Sequence, residues 1–519
     1  MRRIVNALAI TLILLAVSPT YGATLLVPTN YPTIQAALDA ALDGDSVVVE
    51  PGTYFESVVV PEISITLLSE SDDPFNTILD GTGNAAEPAM VYFPGDSAGT
   101  RELRGFTLRN SEARAVDIQD ILFSPDYHII QNCRFIDNGP GTPLHAAFGT
   151  CDILNNEFRD NGGARGGGAV VIRGPGSISG NVFLNNAALP DSTSTLTVGG
   201  AIFMSSTFPT GRLVEITNNR FEDNYSTDYG GAIWANQDYD IRIANNTFLR
   251  NVADVCAGAI YVVANKDTVV IEDNVFAENS SPVAGTIGVD FNARNTVIRN
   301  NTIVSTIGGA GILIHESFDI VVENNIVAFG DSYGIRWLSN PPVTIVSGIQ
   351  QCNDAYSNPS GDYVITGTMV TSSMNISVDP LFCGMPTGNF ELLTGSPCLP
   401  ANNSCGVLMG ALPQGCDVPT GIPETPLASG TLDQNYPNPF NPSTRIPFAL
   451  ERTADVYLAI YDVSGKLVQK LVDRRMSPGF YIEEWNGRDT IGHEVASGVY
   501  FYRLKTEGFS ETRKMVLLK

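Results

Sequence analysis

Basic residues are scarce in this sequence. Thirty Lys and Arg face 55 Asp and Glu across 519 residues, a formal net charge of -25. So acidic a surface excludes nucleic acid and anionic membranes as partners, and it fits a soluble protein that meets divalent cations. Histidine is rarer still. Its four positions, 128, 145, 315 and 493, make no metal-ligand spacing. Also missing is any apolar run of the ~18 residues that a membrane span needs. The run from Leu8 to Val17 is too short for that. It follows Arg2 and Arg3 and precedes small residues up to Gly22, the pattern of a secretory signal over residues 1–22. No cysteine sits at the expected cleavage point, so no lipid anchor is expected there. No nucleophile triad, phosphate loop or nucleotide fingerprint is present.

What the chain does have is repetition. In VEITNNRFEDNYSTDYGGAIWANQDYDIRIANNTFLRNVADVCAGAIYV, Ile216, Asn219, Phe221 and Asn224 precede Gly231-Ala232-Ile233. The same residue types return 27 positions later at Ile243, Asn246, Phe248, Asn251 and Gly258-Ala259-Ile260. The aromatic column runs Phe106, Phe135, Phe158, Phe183, Phe221, Phe248 and Phe276, continued by Ile303 and Val327. An Asn lies two positions before most of these and three positions after many. A unit so short cannot bury its own apolar face, so copies must stack. Short β-branched runs joined by turns place like side chains over one another at the ~4.8 Å strand spacing. Stacked Ile and Phe then fill an interior, and stacked Asn amides hydrogen-bond along the axis. The expected fold is an all-β parallel solenoid. Its N-terminal end is covered by a short helix over residues 31–44, with Thr33 as N-cap, Gly44 as its end and an apolar face from Ile34 to Leu42.

These motifs resemble the right-handed parallel β-helix proteins of the pectate-lyase-like class, whose first coil is similar to IQAALDAALDGDSVVVEPGTY. The FIDN, FRDN, FLNN, FEDN, FLRN and FAEN tetrapeptides, with GGAV, GGAI and AGAI, also resemble the repeats of polymorphic outer-membrane proteins. The resemblance spans roughly residues 24–412 and implies a fold, not an activity, since such helices host lyases, hydrolases, esterases and adhesins alike. The solenoid is expected to occupy 23–412 and to close in a cysteine-rich cap. Four cysteines allow three pairings, of which Cys383 with Cys398 and Cys405 with Cys416 is the expected one, with Cys352 able to join. A Pro, Gly and Thr-rich linker follows at 413–432. Residues 433–519 then show short alternating strands and turn signals such as Asn486-Gly487, a small β-sandwich. NYPNPFNPST, YDVSGK, SGVYFYRL and RKMVLLK resemble the C-terminal sorting domains of type IX (Por) secretion cargo. The resemblance implies an immunoglobulin-like fold, passage across the outer membrane through the secretion machinery, and residence outside or on the cell.

Charge follows this division. After residue 432 the chain has 12 Lys and Arg against 11 Asp and Glu, so the remaining 18 basic residues face 44 acidic ones.

Catalytic patterns are sparse. Gly52-Thr53-Tyr54-Phe55-Glu56 resembles the opening GxYxE of pectin esterases, but none of that family's later motifs follows, so it reads as a structural turn. The Gly-His-Gly of polygalacturonases is absent. Asp223-Arg250-Glu278 and Glu272-Arg299-Glu323 read as surface ion-pair ladders. Asp137 and Asp160 carry like charges on adjacent coils, and calcium there is the one cofactor the sequence offers. His128 and Cys151 fall in an inward column, and Cys133 takes an Asn-column position, so all three are expected in the core. Phe203, Trp234 and Tyr261 hold one position in three successive coils and alternate with inward Ile202, Ile233 and Ile260. They are expected to form either an exposed platform for sugar rings or a row of aromatics covered by a loop such as the polar insert or the linker. The function expected is binding of extracellular polysaccharide or cell-surface glycan, or adhesion. The alternative is a polysaccharide lyase or glycoside hydrolase. Convergent acidic and basic groups beside the aromatic column would separate the two.

Overall fold

Ile153, Ile178, Ile216, Ile243 and Ile271 are consecutive rungs of one parallel sheet in the computed structural model of this chain. The structure describes residues 22–417 and 430–518 with short interruptions, the longest at 84–88, 191–195, 206–212 and 340–345. The expected signal and most of the linker lie outside the described residues. Each coil gives strands to three parallel sheets of 14, 12 and 16 strands, about 12 turns in all. Sheet 1 runs from Thr24–Val27 to Met369–Ser373, sheet 2 from Gly52–Tyr54 to Asp354–Tyr356, and sheet 3 from Val58–Val59 to Gly361–Ile365.

The columns do what their chemistry demands. The rings of Phe135, Phe158, Phe183, Phe221, Phe248 and Phe276 stack with centroids 4.6 to 4.9 Å apart. Asn246 shows how the amides work. Its Nδ2 donates to Ile216 O at 2.8 Å and to Asn274 Oδ1 at 3.0 Å, while its own Oδ1 accepts from the Nδ2 of Asn219. A buried amide is tolerable only when its donors and acceptor are used, and here stacking uses them. The residue before each inner Asn, or before its equivalent, turns the corner in the left-handed region. The outer charged column does the same at the next corner. Asp137, Asp160, Asn185, Asp223, Arg250 and Glu278 all have φ between 52° and 56°, so they are turn residues.

The capping helix is shorter than expected. It spans Ile34–Ala40, capped by Thr33 Oγ1 accepting from Ala36 N at 3.1 Å. Leu42 lies beyond its end and is 73% exposed, because the chain turns at Ala41 toward the next strand. Glu56 accepts hydrogen bonds from the N–H groups of Ile34 and Gln35 at 3.0 and 3.3 Å. Its carboxylate thus serves the helix N-terminus, a structural role for the Gly52–Glu56 turn.

At the other end the disulfides differ from the expectation. Cys352 pairs with Cys405 and Cys383 with Cys416, leaving Cys398 free and buried. The sequence could not rank these, because the fold of the cap decides which cysteines approach. Cys352 belongs to the last full coil, so its bridge ties the cap to the solenoid.

Residues 431–517 form two antiparallel sheets around a core that includes Phe448, Leu458, Trp485 and Tyr502. One sheet has Thr431–Leu432, Thr444–Leu450 and Gly479–Trp485; the other has Ala454–Tyr461, Leu467–Met476, Gly498–Lys505 and Ser510–Leu517.

Candidate functional site

The outward face of sheet 3 gathers the chemistry. Asp117 and His145 are register partners on adjacent strands there, and the column continues through Val171, Phe203, Trp234 and Tyr261. Phe203 and Trp234 stack at 5.0 Å, as the sequence implies for one column.

Exposure decides between the two readings, in favour of a covered row. Trp234 is 8% exposed and Tyr261 2%, while Phe203 is half-buried. Four consecutive coils, those ending in Val170–Ile172, Ile202–Ser205, Ile233–Asn236 and Ile260–Val263, make sheet 3 in two pieces, with the Gly-Gly-Ala unit or its Ala-Gly-Ala equivalent bending the chain between them. The bends carry Val198, Tyr229, Cys256 and Ala257 over the outward aromatics and build a second apolar cluster outside the solenoid. Tyr229 stacks on Tyr261 at 5.1 Å. Sugar rings therefore do not meet Trp234 and Tyr261 as an open platform. Periodicity gave the direction of these side chains but not what the bend lays over them.

Beside Tyr261 lies a polar group that the sequence reading missed. Tyr261 Oη donates to Asp290 Oδ2 at 2.9 Å, and His315 Nδ1 lies 2.8 Å from Asp290 Oδ1. Glu316 Oε1 is 3.7 Å from His315 Nε2. Phe291, half exposed, meets the His315 ring edge-on at 6.4 Å between centroids. Arg336, on the next strand, stacks its guanidinium 4.5 Å over the Tyr333 ring. The hydrogen bond to Asp290 raises the His315 pKa above its ordinary value, against burial and against Arg336. Burial, with the Asp290 charge, pushes the Tyr261 hydroxyl far up, so it stays a donor.

The second pair, five strands away on the same face, titrates the other way. His145 Nδ1 is also 2.8 Å from Asp117 Oδ1, while Arg114 donates to the other oxygen, Oδ2, and Gln119 to Oδ1. Here burial outweighs the Asp117 hydrogen bond and lowers the His145 pKa. Burial pushes Asp117 up, but the hydrogen bond from His145 and the charge of Arg114 hold it below the usual range. A signal for both pairs was present: each His stands one coil after an Asp, 28 and 25 residues on.

A third cluster lies inside the solenoid. Arg101 Nη2 is 2.8 Å from Asp126 and 3.3 Å from Asp120, and His128 Nε2 is 2.9 Å from Asp120, all four side chains being fully buried. Asp120, Asp126 and His128 are close enough to share a metal ion. Arg101 already holds the cation's place among them, so the cluster reads as an ion-pair network that neutralises buried charge. His128 and Cys151 are core residues as expected, and so is Cys133.

Asp137 and Asp160 are exposed at equivalent turns, with Asp160 accepting from Asn185 Nδ2 at 2.5 Å. Among the described residues no third acidic, His or Cys ligand joins them. Calcium takes six to eight oxygens, so water would have to fill most of such a shell. The charge ladders are present in part: Arg250 bonds Asp223 at 2.9 Å, and Arg299 bonds Glu272 at 2.6 Å.

Residues 210–376 match the family described as a right handed beta helix region, and residues 434–518 match the secretion system C-terminal sorting domain. A probable pectinesterase/pectinesterase inhibitor of Arabidopsis thaliana is 27% identical over 141 residues, 24% of this chain and 23% of that protein. The chain thus spans about a quarter of that relative's length. Among solved structures, the A-module of the mannuronan C-5 epimerase AlgE4 of Azotobacter vinelandii is 15% identical, with 66% of this chain and 94% of that one covered and a TM-score of 0.45. The PL6 family alginate lyase AlyGC is 16% identical, with 68% and 51% covered and a TM-score of 0.44. No helix among the described residues is long and apolar enough to cross a membrane. The chain is a right-handed parallel β-helix protein with a secretion system C-terminal sorting domain, exported to the cell surface or beyond it.

Proposed function

We propose that the protein binds an extracellular polysaccharide along the outward face of sheet 3, centred on Asp290, Phe291 and His315. The observation that carries this reading is the convergence of an exposed ring, a carboxylate–imidazole pair and Arg336 on one face. Sugar recognition needs an apolar plane beside a few directed polar groups, and these residues offer both. Phe203, half-buried further along the face, extends the apolar strip. The ligand class follows from charge. The chain before residue 433 holds 44 acidic against 18 basic residues, which repels a polyanion. A neutral polysaccharide, or one whose acid groups are esterified, fits better, and the curated relative's name, pectinesterase, points the same way. Glycan-array binding by the full chain tests this. Phe291→Ala and His315→Ala should each weaken retention while the chain keeps its β circular-dichroism spectrum, and unchanged retention in both would end the proposal.

A second reading has one observation in its favour. Acidic and basic groups do converge beside Tyr261, as a lyase or hydrolase requires. A histidine oriented by a carboxylate can take or give a proton from its other nitrogen. Release of reducing ends or unsaturated products from a bound polysaccharide, abolished by His315→Gln, would establish it. Binding without release leaves the first reading standing.

A further inference from the structure

The sorting domain has a surface unlike the rest of the chain. In the four-stranded sheet, Val456, Leu458, Ile460, Tyr502, Leu504, Met515 and Leu517 face the core. Alternation sends Tyr457, Tyr461, Phe501, Arg503 and Lys505 to the opposite face. Register aligns them across neighbouring strands: Tyr457 opposite Lys505, Ala459 opposite Arg503, Tyr461 opposite Phe501. Arg503 lies 5.2 Å over the Tyr461 ring, and its Nε donates to Thr512 Oγ1 at 2.9 Å, which holds the guanidinium flat on the sheet. Tyr457, Tyr461, Arg503 and Lys505 line a groove of about 540 Å³, with Asp455 and Glu507 also on its wall.

Neutralisation within the face is uneven. Lys470 is paired with Asp473 at 2.8 Å and Arg475 with Asp455 at 3.8 Å. Arg503 and Lys505 form no ion pair among the described residues, and both are exposed. Two unneutralised cations flanking a tyrosine pair are thus offered to solvent on a chain whose net charge is -25.

We propose that this groove binds an anionic polysaccharide, with carboxylate or phosphate groups on Arg503 and Lys505 and a sugar ring against Tyr457. Aromatic faces suit the ring, and a guanidinium fixed by stacking and a hydrogen bond pairs with an oxyanion at little further ordering cost. Net charge dictates which end engages. The acidic solenoid repels a polyanion, so such a chain meets the protein through its sorting domain. The ligand class and the site both differ from those proposed for sheet 3.

Affinity electrophoresis of the full chain through gels containing polygalacturonate, with uncharged dextran as control, tests the proposal. The expected result is retardation by polygalacturonate that weakens as salt rises. Arg503→Gln with Lys505→Gln should lower affinity about tenfold, and Tyr457→Ala should lower it too, with Tm unchanged. Arg475→Gln, a cation of the same face outside the groove, and His315→Ala should stay within about twofold of the parent. Equal migration of parent and double variant through polygalacturonate overturns the proposal, and so does retardation by dextran that the double variant abolishes. Retardation lost in His315→Ala but kept in the double variant assigns the binding to sheet 3 and also overturns it. Salt-sensitive retention on an immobilised acidic protein, with none on polygalacturonate, overturns it in favour of a protein partner.

Discussion

His315 Nδ1 stands 2.8 Å from Asp290 Oδ1, and the same contact at the same distance joins His145 to Asp117. The two pairs share one sheet face, yet their imidazoles shift in opposite directions. For His315 the hydrogen bond to Asp290 is the larger influence; for His145 it is burial. Local geometry is held constant and the surroundings decide the sign.

Stability should therefore depend on pH through His315 with a defined sign. Its folded pKa is raised above the model-peptide value near 6.5. The stabilisation is fully present below that value and is lost as pH rises through the folded pKa. Asp290→Asn should lower the His315 pKa, read from its Cε1–H resonance, and should flatten stability across this window. An unmoved resonance would show that Asp290 does not hold the imidazole.

The buried cap makes a second titration. Burial raises Asp354 to about 7, with Cys398 Sγ donating to its Oδ2 at 3.1 Å. Because this folded pKa lies above the unfolded one near 3.9, its contribution is complete below about pH 4 and is lost as pH climbs from there through about 7. Asp354→Asn should remove the decline in Tm between roughly pH 4 and 7. A decline that survives the substitution would place its origin elsewhere.

Peptide mapping should find Cys352 joined to Cys405 and Cys383 to Cys416, with Cys398 alkylated only after unfolding. Cys352–Cys405 spans 53 residues, for which chain-entropy reasoning gives about 4 kcal/mol. Cys405→Ser should lower Tm and loosen the cap first, detectable as early hydrogen exchange around residues 379–416. A map joining Cys383 to Cys398 would contradict this arrangement.

The bend in the Gly-Gly-Ala unit can be tested at one atom. Gly230 has φ of 65°, and a Cβ there would sit 2.4 Å from Ile233 O. Ala257 holds the equivalent position at φ of 63°. Gly230→Ala should cost about 1 kcal/mol or more, while Ala257→Gly should be neutral or stabilising by a few tenths, measured by urea denaturation. Equal effects of the two would mean that the bend tolerates a side chain at either site.

The sequence by itself determined the solenoid. Ile, Asn and Phe recur once per coil, and only stacking lets each satisfy itself, so the columns specify parallel sheets, their register and their interior. Sorting-domain motifs were equally legible, because short strands and tight turns leave local marks. The direction of Phe203, Trp234 and Tyr261 was legible too, but not their cover, since alternation says nothing about a bend that folds back over its own sheet. The two Asp–His pairs were within reach as a carboxylate one coil below an imidazole. They went unread because a polar residue in an outward column looks like any solvated group until a neighbour and a degree of burial are attached to it. Arg101, Asp120 and Asp126 could not be linked to His128 from sequence, because Asp120 and Asp126 fall outside the repeating columns. Tertiary structure alone decided those, together with the cap's disulfides, and for one reason. Repetition fixes what each residue stacks upon, whereas contacts made by irregular segments depend on where the chain bends between repeats.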